Sequence, residues 1–201
     1  INQDGTHTTL NVSISNLTVR FTRNDIAPNP GFTQTGGAMD IFLTGTGAMP
    51  GPTTSLSNCT FDSNASALSY GGAINIDSGS LSPPLTNIYR GTVQISGCTI
   101  SNNRTLNVAP SDPPSGGGVN LFSDRHDVTF SNCTFTGNQT SAHITANGGG
   151  LNIRHSFGGT ITLTGCTVAN NTAGSDGGGI LVAGLGGQTI NITGGSITGN
   201  T

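Results

Sequence analysis

Charged side chains are so sparse in this chain that any cluster of them is a candidate for chemistry. The stretch "SDRHD" gathers Asp124, Arg125, His126 and Asp127, "RH" adds Arg154 and His155 one repeat later, and Arg90 and Asp77 occupy the same edge a repeat earlier. A carboxylate pair with an arginine beside it is what a glycoside hydrolase or a polysaccharide lyase uses for acid and base work. Asp124 and Asp127 are three residues apart on a turn, however, and no motif sets them facing one cleft. Corner ion pairs on an otherwise uncharged surface explain the cluster as well. The expectation is therefore no catalytic residue; Asp124, Asp127, His126, Arg125 and Arg154 are the set that a carbohydrate-active enzyme would have to use.

The cysteines Cys59, Cys98, Cys133 and Cys166 are the other chemically capable group. They recur at spacings of 39, 35 and 33 residues without a C-x-x-C pair, which does not suit a tetrahedral metal site. Stacked one above another they would have Cα separations that permit a disulfide, but side chains in register point in parallel and give poor torsions. They are expected to be free, buried thiols that act as small apolar spacers. Nine N-x-[ST] sequons begin at Asn11, Asn16, Asn58, Asn64, Asn103, Asn132, Asn138, Asn170 and Asn191. Of these, Asn11, Asn16, Asn58, Asn132 and Asn191 are the candidates for glycosylation, because they fall on outward or corner positions.

The elements that must carry these residues are repeats. "LSNCTFDSN", "ISGCTISNN", "FSNCTFTGN", "LTGCTVANN" and "ITGGSITGN" end at Asn64, Asn103, Asn138, Asn171 and Asn200, and "FTRN" supplies Asn24 as a divergent first member. The spacings from Asn24 onward are 40, 39, 35, 33 and 29 residues. Between these copies lies a second block: "GGAMDI", "GGAINI", "GGGVNL", "GGGLNI" and "GGGILV". Apolar residues alternate within each repeat, the period of a strand. The step from Leu163 to Cys166 adds one residue, and the position before the cysteine is Asn58, Gly97, Asn132 or Gly165, types that enter the left-handed region readily. A tight bend thus joins two short strands, and the glycine block adds a third, with Ile74, Ile76, Val119, Leu121, Leu151 and Ile153 inward.

Three short strands separated by corners make one coil of a parallel β-solenoid, and about six coils are expected over residues 1–201 as a single segment. At roughly 4.8 Å per coil the stack is about 25 to 30 Å tall. Proline falls in the bulging loops or at their margins. In the first coil two residues are expected to be added before "FTRN", with Leu17 and Val19 competing for the place of the cysteine. The asparagines Asn64, Asn103, Asn138, Asn171 and Asn200 are expected to stack, their amides bridging successive turns. One outer face collects hydroxyls, among them Ser13, Ser15, Ser55, Ser57, Ser96, Thr129, Ser131, Thr162 and Thr164.

Composition limits the function further. Of 201 residues 32 are glycine, 7% are charged, and neither lysine, glutamate nor tryptophan occurs. Good helix formers are scarce. A net charge of −3 with six arginines gives no basic footprint, so nucleic acid is not an expected partner. No apolar run is long enough to span a bilayer as a helix. The chain starts at Ile1 and ends on a coil strand, so it reads as a processed or excised piece whose caps lie elsewhere or on a neighbouring molecule.

The alternation of Gly71, Gly72, Ala73 and Ile74 with Phe61 and Asn64, and of the other glycine blocks with Phe135 and Asn138, resembles the repeats of chlamydial polymorphic outer membrane proteins and of bacterial right-handed β-helix surface proteins. The resemblance covers nearly the whole chain. It implies an all-β, right-handed parallel β-helix in a secreted or cell-surface protein with an adhesive or stalk-like role. The expected function is a non-enzymatic, extracellular structural or adhesive solenoid without cofactor or metal. Its expected partners are other coils, stacked end to end into a fibre, and a carbohydrate or host surface.

Overall fold

The computed structural model describes residues 2–3, 11–24, 36–43, 53–67, 70–77, 91–106, 115–123, 126–142, 145–155, 158–184, 187 and 189–201. Regular structure among them is β throughout, and every strand pairing is parallel. Three sheets hold six strands each. Sheet A takes one strand from each glycine block, such as Ile74–Asp77, Val119–Ser123 and Leu151–His155, with Asn2–Gln3 ahead of the first. Sheet B takes the strand before the cysteine, such as Thr53–Ser57, Thr92–Ser96 and Asp127–Ser131, and sheet C the strand after it, such as Thr60–Asp62, Thr99–Ser101 and Thr134–Thr136. The chain visits A, B and C in turn and then begins the next coil, so each strand pairs with its own copy a repeat away.

Strand alternation explains what is inside. Leu56, Ile95, Phe130 and Leu163 form one inward column of sheet B, and Phe61, Ile100, Phe135 and Val168 one of sheet C; all are at most 1% exposed. Phe130 and Phe135, on opposite sides of a corner, meet edge to face with ring centroids 5.5 Å apart. The intervening residues of sheet B, such as Ser55, Thr129 and Thr162, are half-buried and form the hydroxyl-bearing outer face.

Two features differ from the repeat as read from sequence. The coil has a second left-handed corner and a short fourth strand. Ser63, Asn102, Gly137, Asn170 and Gly199 take φ values of 58°, 54°, 63°, 55° and 61°, one residue before each stacked asparagine. Beyond it a small sheet D pairs Arg23–Asn24, Ala65–Ser66 and Arg104–Thr105, and continues as single bridges through Gln139 and Thr172.

The first coil also corrects the expected alignment. Thr18, Val19 and Arg20 pair with Thr60, Phe61 and Asp62, and Arg23 and Asn24 with Ala65 and Ser66. Nothing is inserted: Leu17 stands opposite Cys59, Phe21 occupies the second corner at φ 56°, and Thr22, not Asn24, faces Asn64. The physical reason is that Thr22 can make the bonds of that place. Its amide and its hydroxyl both donate to Asn64 Oδ1, at 3.1 and 2.8 Å.

The glycine block sets how closely coils approach. Its first glycine supplies a corner, as at Gly116 with φ 67°. Its second has no room for a side chain: a Cβ on Gly117 would lie 2.4 Å from the carbonyl oxygen of Gly149 and 2.5 Å from the backbone of Gln139. We expect Gly117→Ala to cost about 3 kcal/mol of unfolding free energy through overpacking, whereas Ser131→Ala on the outer face should stay within about 0.5 kcal/mol. Urea unfolding of the two variants beside the parent chain checks both.

Candidate functional site

A buried primary amide must spend every donor and acceptor it has, and the asparagine column does so. Asn64 donates from its backbone N and from Nδ2 to Asn103 Oδ1, both at 2.9 Å, while Nδ2 also donates back to the carbonyl of Val19 at 3.1 Å. The unit repeats from Asn103 to Asn138 Oδ1 and the Phe61 carbonyl, and from Asn138 to Asn171 Oδ1 and the Ile100 carbonyl. Asn171 and Asn200 continue it with the Phe135 and Val168 carbonyls. Each amide from Asn64 to Asn171 thus ties three successive coils together. Asn64, Asn103, Asn138 and Asn171 are fully buried, so a glycan on the sequons at Asn64, Asn103 or Asn138 has no access.

A second polar column lies in sheet A and was not read from the sequence. Asn75 donates to Asp40 Oδ1 at 3.3 Å, Asn120 to Asn75 Oδ1 at 2.8 Å and Asn152 to Asn120 Oδ1 at 2.7 Å. Its signal was available as the fifth residue of each glycine block: Asp40, Asn75, Asn120 and Asn152. The next block has Leu181 there, paired in register with Asn152, so the buried Oδ1 of Asn152 accepts no bond. Burial pushes the Asp40 carboxyl above its ordinary value, against hydrogen bonds from Gly36 N and Asn75.

The four cysteines are free thiols, 1% exposed at Cys59, Cys98 and Cys133 and 5% at Cys166. Each Sγ lies 3.3 to 3.6 Å from the carbonyl oxygen two residues earlier, which anchors the thiol at its corner. Within the column, hydrogen bonds with Cys166 and Cys98, then burial, push the Cys133 thiol up, so it keeps its proton. The contact with Cys133 draws both Cys98 and Cys166 down, against their burial. Among the described residues no group of three or more His, Cys, Asp or Glu is arranged to hold a metal ion.

Of the sequence-derived catalytic set, the structure places His126, Asp127 and Arg154. Asp124 and Arg125 lie outside the described residues, as do Arg90 and the side chain of His155. His126 is buried at 2%. Asp127 opens a strand of sheet B and accepts a hydrogen bond from Thr160 N at 2.8 Å, clamping the next coil. Arg154 is exposed on a strand of sheet A. Asp77 is buried in sheet A, opposite Phe122.

The best-organised charge is elsewhere, at Asp62 in sheet C. Arg20 donates to Asp62 Oδ2 from Nε and Nη2 at 3.0 and 2.8 Å, and Ser101 Oγ and Asn102 Nδ2 donate to Oδ1 at 2.7 and 2.9 Å. Those bonds, Ser101's first and then those of Arg20 and Asn102, hold its carboxyl at about 2. The carboxylate therefore joins three coils. The sequon residues Asn11, Asn16, Asn58, Asn132 and Asn191 are exposed. Asn58 and Asn132 have corner φ values of 53° and 52°, and their Oδ1 atoms lie where a Cβ on Gly97 or Gly165 of the following coil would come within 2.5 Å. At these two corners the asparagine is followed one coil later by a glycine, whereas Asn16 is followed by Asn58.

Two outcomes follow from these bonds. Asn103→Ala leaves the amide and Nδ2 of Asn64 buried without their shared acceptor and should cost about 3 kcal/mol or more, measured by urea unfolding against exposed Asn191→Ala, which should change stability by less than about 0.5 kcal/mol. Asp62 has a folded pKa below its ordinary 3.8, so it contributes stability that is fully present above pH 3.8 and is lost as pH falls toward about 2. Thermal melts across that window should fall less steeply for Asp62→Asn than for the parent chain.

The family described as right handed beta helix region matches residues 6–201. No curated protein and no solved structure gives a significant match. Sequence match, parallel pairing of three stacked sheets and corner geometry agree, and on them the chain belongs to the right-handed β-helix family.

Proposed function

We propose that this chain is a non-enzymatic, extracellular structural or adhesive solenoid that extends by stacking further coils, those of neighbouring molecules included. The observation that carries this reading is that the organised polar side chains are spent on neighbouring coils: Asn64, Asn103 and Asn138 each bond the coils before and after, and Asp62 holds Arg20, Ser101 and Asn102. Coils whose strands and amides are satisfied by other coils favour one kind of partner, another coil in register.

The scaffold's polar resources support a structural role. Asp62, Asp127 and the asparagine columns bind backbone or side chains of adjacent coils, the use a stack requires rather than the use a hydrolytic centre requires. The outer face of sheet B offers hydroxyls and little charge, a surface suited to lateral or glycan contact. Glycosylation at Asn11, Asn16, Asn58, Asn132 or Asn191 is compatible with their exposure and belongs to this extracellular reading.

Negative-stain electron microscopy of the purified chain across a concentration series tests the stacking. Filaments or short rods whose length grows with concentration are the expected result. Discrete monomers at the highest concentration would rule stacking out.

A further inference from the structure

Beside sheet D the surface opens into a recess of about 260 Å³, lined by Arg104, Thr105, Leu106, Gln139, Thr140 and Ser141. The two coils that form it are joined by the bridge between Arg104 and Gln139. Alternation along these short strands places Arg104 and Gln139 outward and exposed, while Thr105 and Thr140 are 1% exposed. Leu106 and Ser141 are half-buried.

Two features here are not explained by coil stacking. Arg20 is spent on Asp62, but the guanidinium of Arg104 has no carboxylate partner among the described residues, in a chain with six arginines and no lysine. The second feature is Thr105. Its counterpart one coil later, Thr140, accepts a hydrogen bond from Gly174 N at 3.1 Å, whereas the buried hydroxyl of Thr105 has no hydrogen-bond partner among the described residues. A buried polar atom left unsatisfied costs about 1 to 3 kcal/mol, and this one adjoins an open recess.

We propose that the recess is a subsite for a glycan that carries an anionic group, a carboxylate or a sulfate. This deepens the adhesive reading above and rests on it. The guanidinium offers a fork of N–H donors to two oxygens of one anion. Gln139 supplies the donor and acceptor atoms that ring hydroxyls need, and Leu106 gives the apolar C–H face of a sugar ring a surface to lie on. The volume falls below the range of about 300 to 1,000 Å³ usual for drug-sized ligands, so the recess holds a single sugar unit of a longer chain. A nucleic acid fits poorly, because six arginines on a chain of net charge −3 do not supply a run of phosphate contacts.

The test is titration of the full chain with alginate, a carboxylated polymer, with dextran sulfate and with uncharged dextran. The parent chain should bind one or both acidic polymers and not dextran, and the better of the two identifies the anion. Arg104→Ala should weaken that binding at least about tenfold, Arg104→Lys should weaken it less, and Gln139→Ala should lower it several-fold. Ser196→Ala, an exposed residue on a strand of sheet C, should leave it unchanged. Binding by Arg104→Ala equal to the parent, equal binding of dextran, or no binding of either acidic polymer overturns the subsite. Sizing of the polymers after incubation separates the two readings. Shortened chains would sink the non-enzymatic role and leave the subsite standing, whereas intact polymer bound without dependence on Arg104 would do the reverse.

Discussion

The constraint on which the rest of the molecule depends is that a coil cannot satisfy its own backbone. Its strands are two to five residues long and have no partner within the same turn, so their N–H and C=O groups must find the coils before and after. Parallel pairing in strict register follows, and with it a rule for side chains: whatever occupies a position must tolerate its own copy about 4.8 Å away. Leucine, isoleucine and phenylalanine tolerate it by packing. Asparagine tolerates it better, because the carbonyl of one amide and the NH₂ of the previous one are complementary at that distance. Repeated aspartates or arginines would repel along a column, which gives the near absence of charge a structural cause.

The same rule explains where charge is admitted. Asp62 stands in a column with Arg20 before it and Ser101 after it, so neighbours differ and are complementary. Asp40 stands at the start of an asparagine column, where Asn75 donates to it. Asp127 reaches the amide of Thr160. Each of these three aspartates is consumed by an adjacent coil, whereas the exposed guanidinium of Arg104 has no carboxylate partner among the described residues. Corners obey the rule in a different way: where the side chain of Asn58 or Asn132 lies over the following corner, a glycine there, Gly97 or Gly165, leaves space for it.

Much of this was legible in the sequence. The cysteine-centred copies and the glycine blocks gave the parallel solenoid, the number of coils, the inward residues and the first corner, since each depends on local alternation and local backbone preference. The second corner and the Asp40, Asn75, Asn120, Asn152 column carried equally regular signals, at the residue before each stacked asparagine and at the fifth place of each glycine block. They went unread because only the apolar period was followed. The first coil was misaligned for a related reason. "FTRN" matches the F-x-x-N pattern by letter, but backbone register counts residues from the corner, and a threonine can replace the asparagine in hydrogen bonding.

What the sequence determined by itself is the shape: a repeat of apolar alternation, corner residues and glycine pairs specifies a coil, and copying the coil specifies a stack, because every interaction involved recurs at a fixed offset along the chain. What only the tertiary structure decided is which polar residues are spent and which remain. Whether Asp62 finds Arg20, whether Thr105 finds a donor and whether Arg104 finds a carboxylate depend on side chains some thirty to forty residues apart meeting across coils of unequal length. Loops of variable length set the sequence offset between such residues, so that meeting is fixed by register in space and cannot be counted off along the chain.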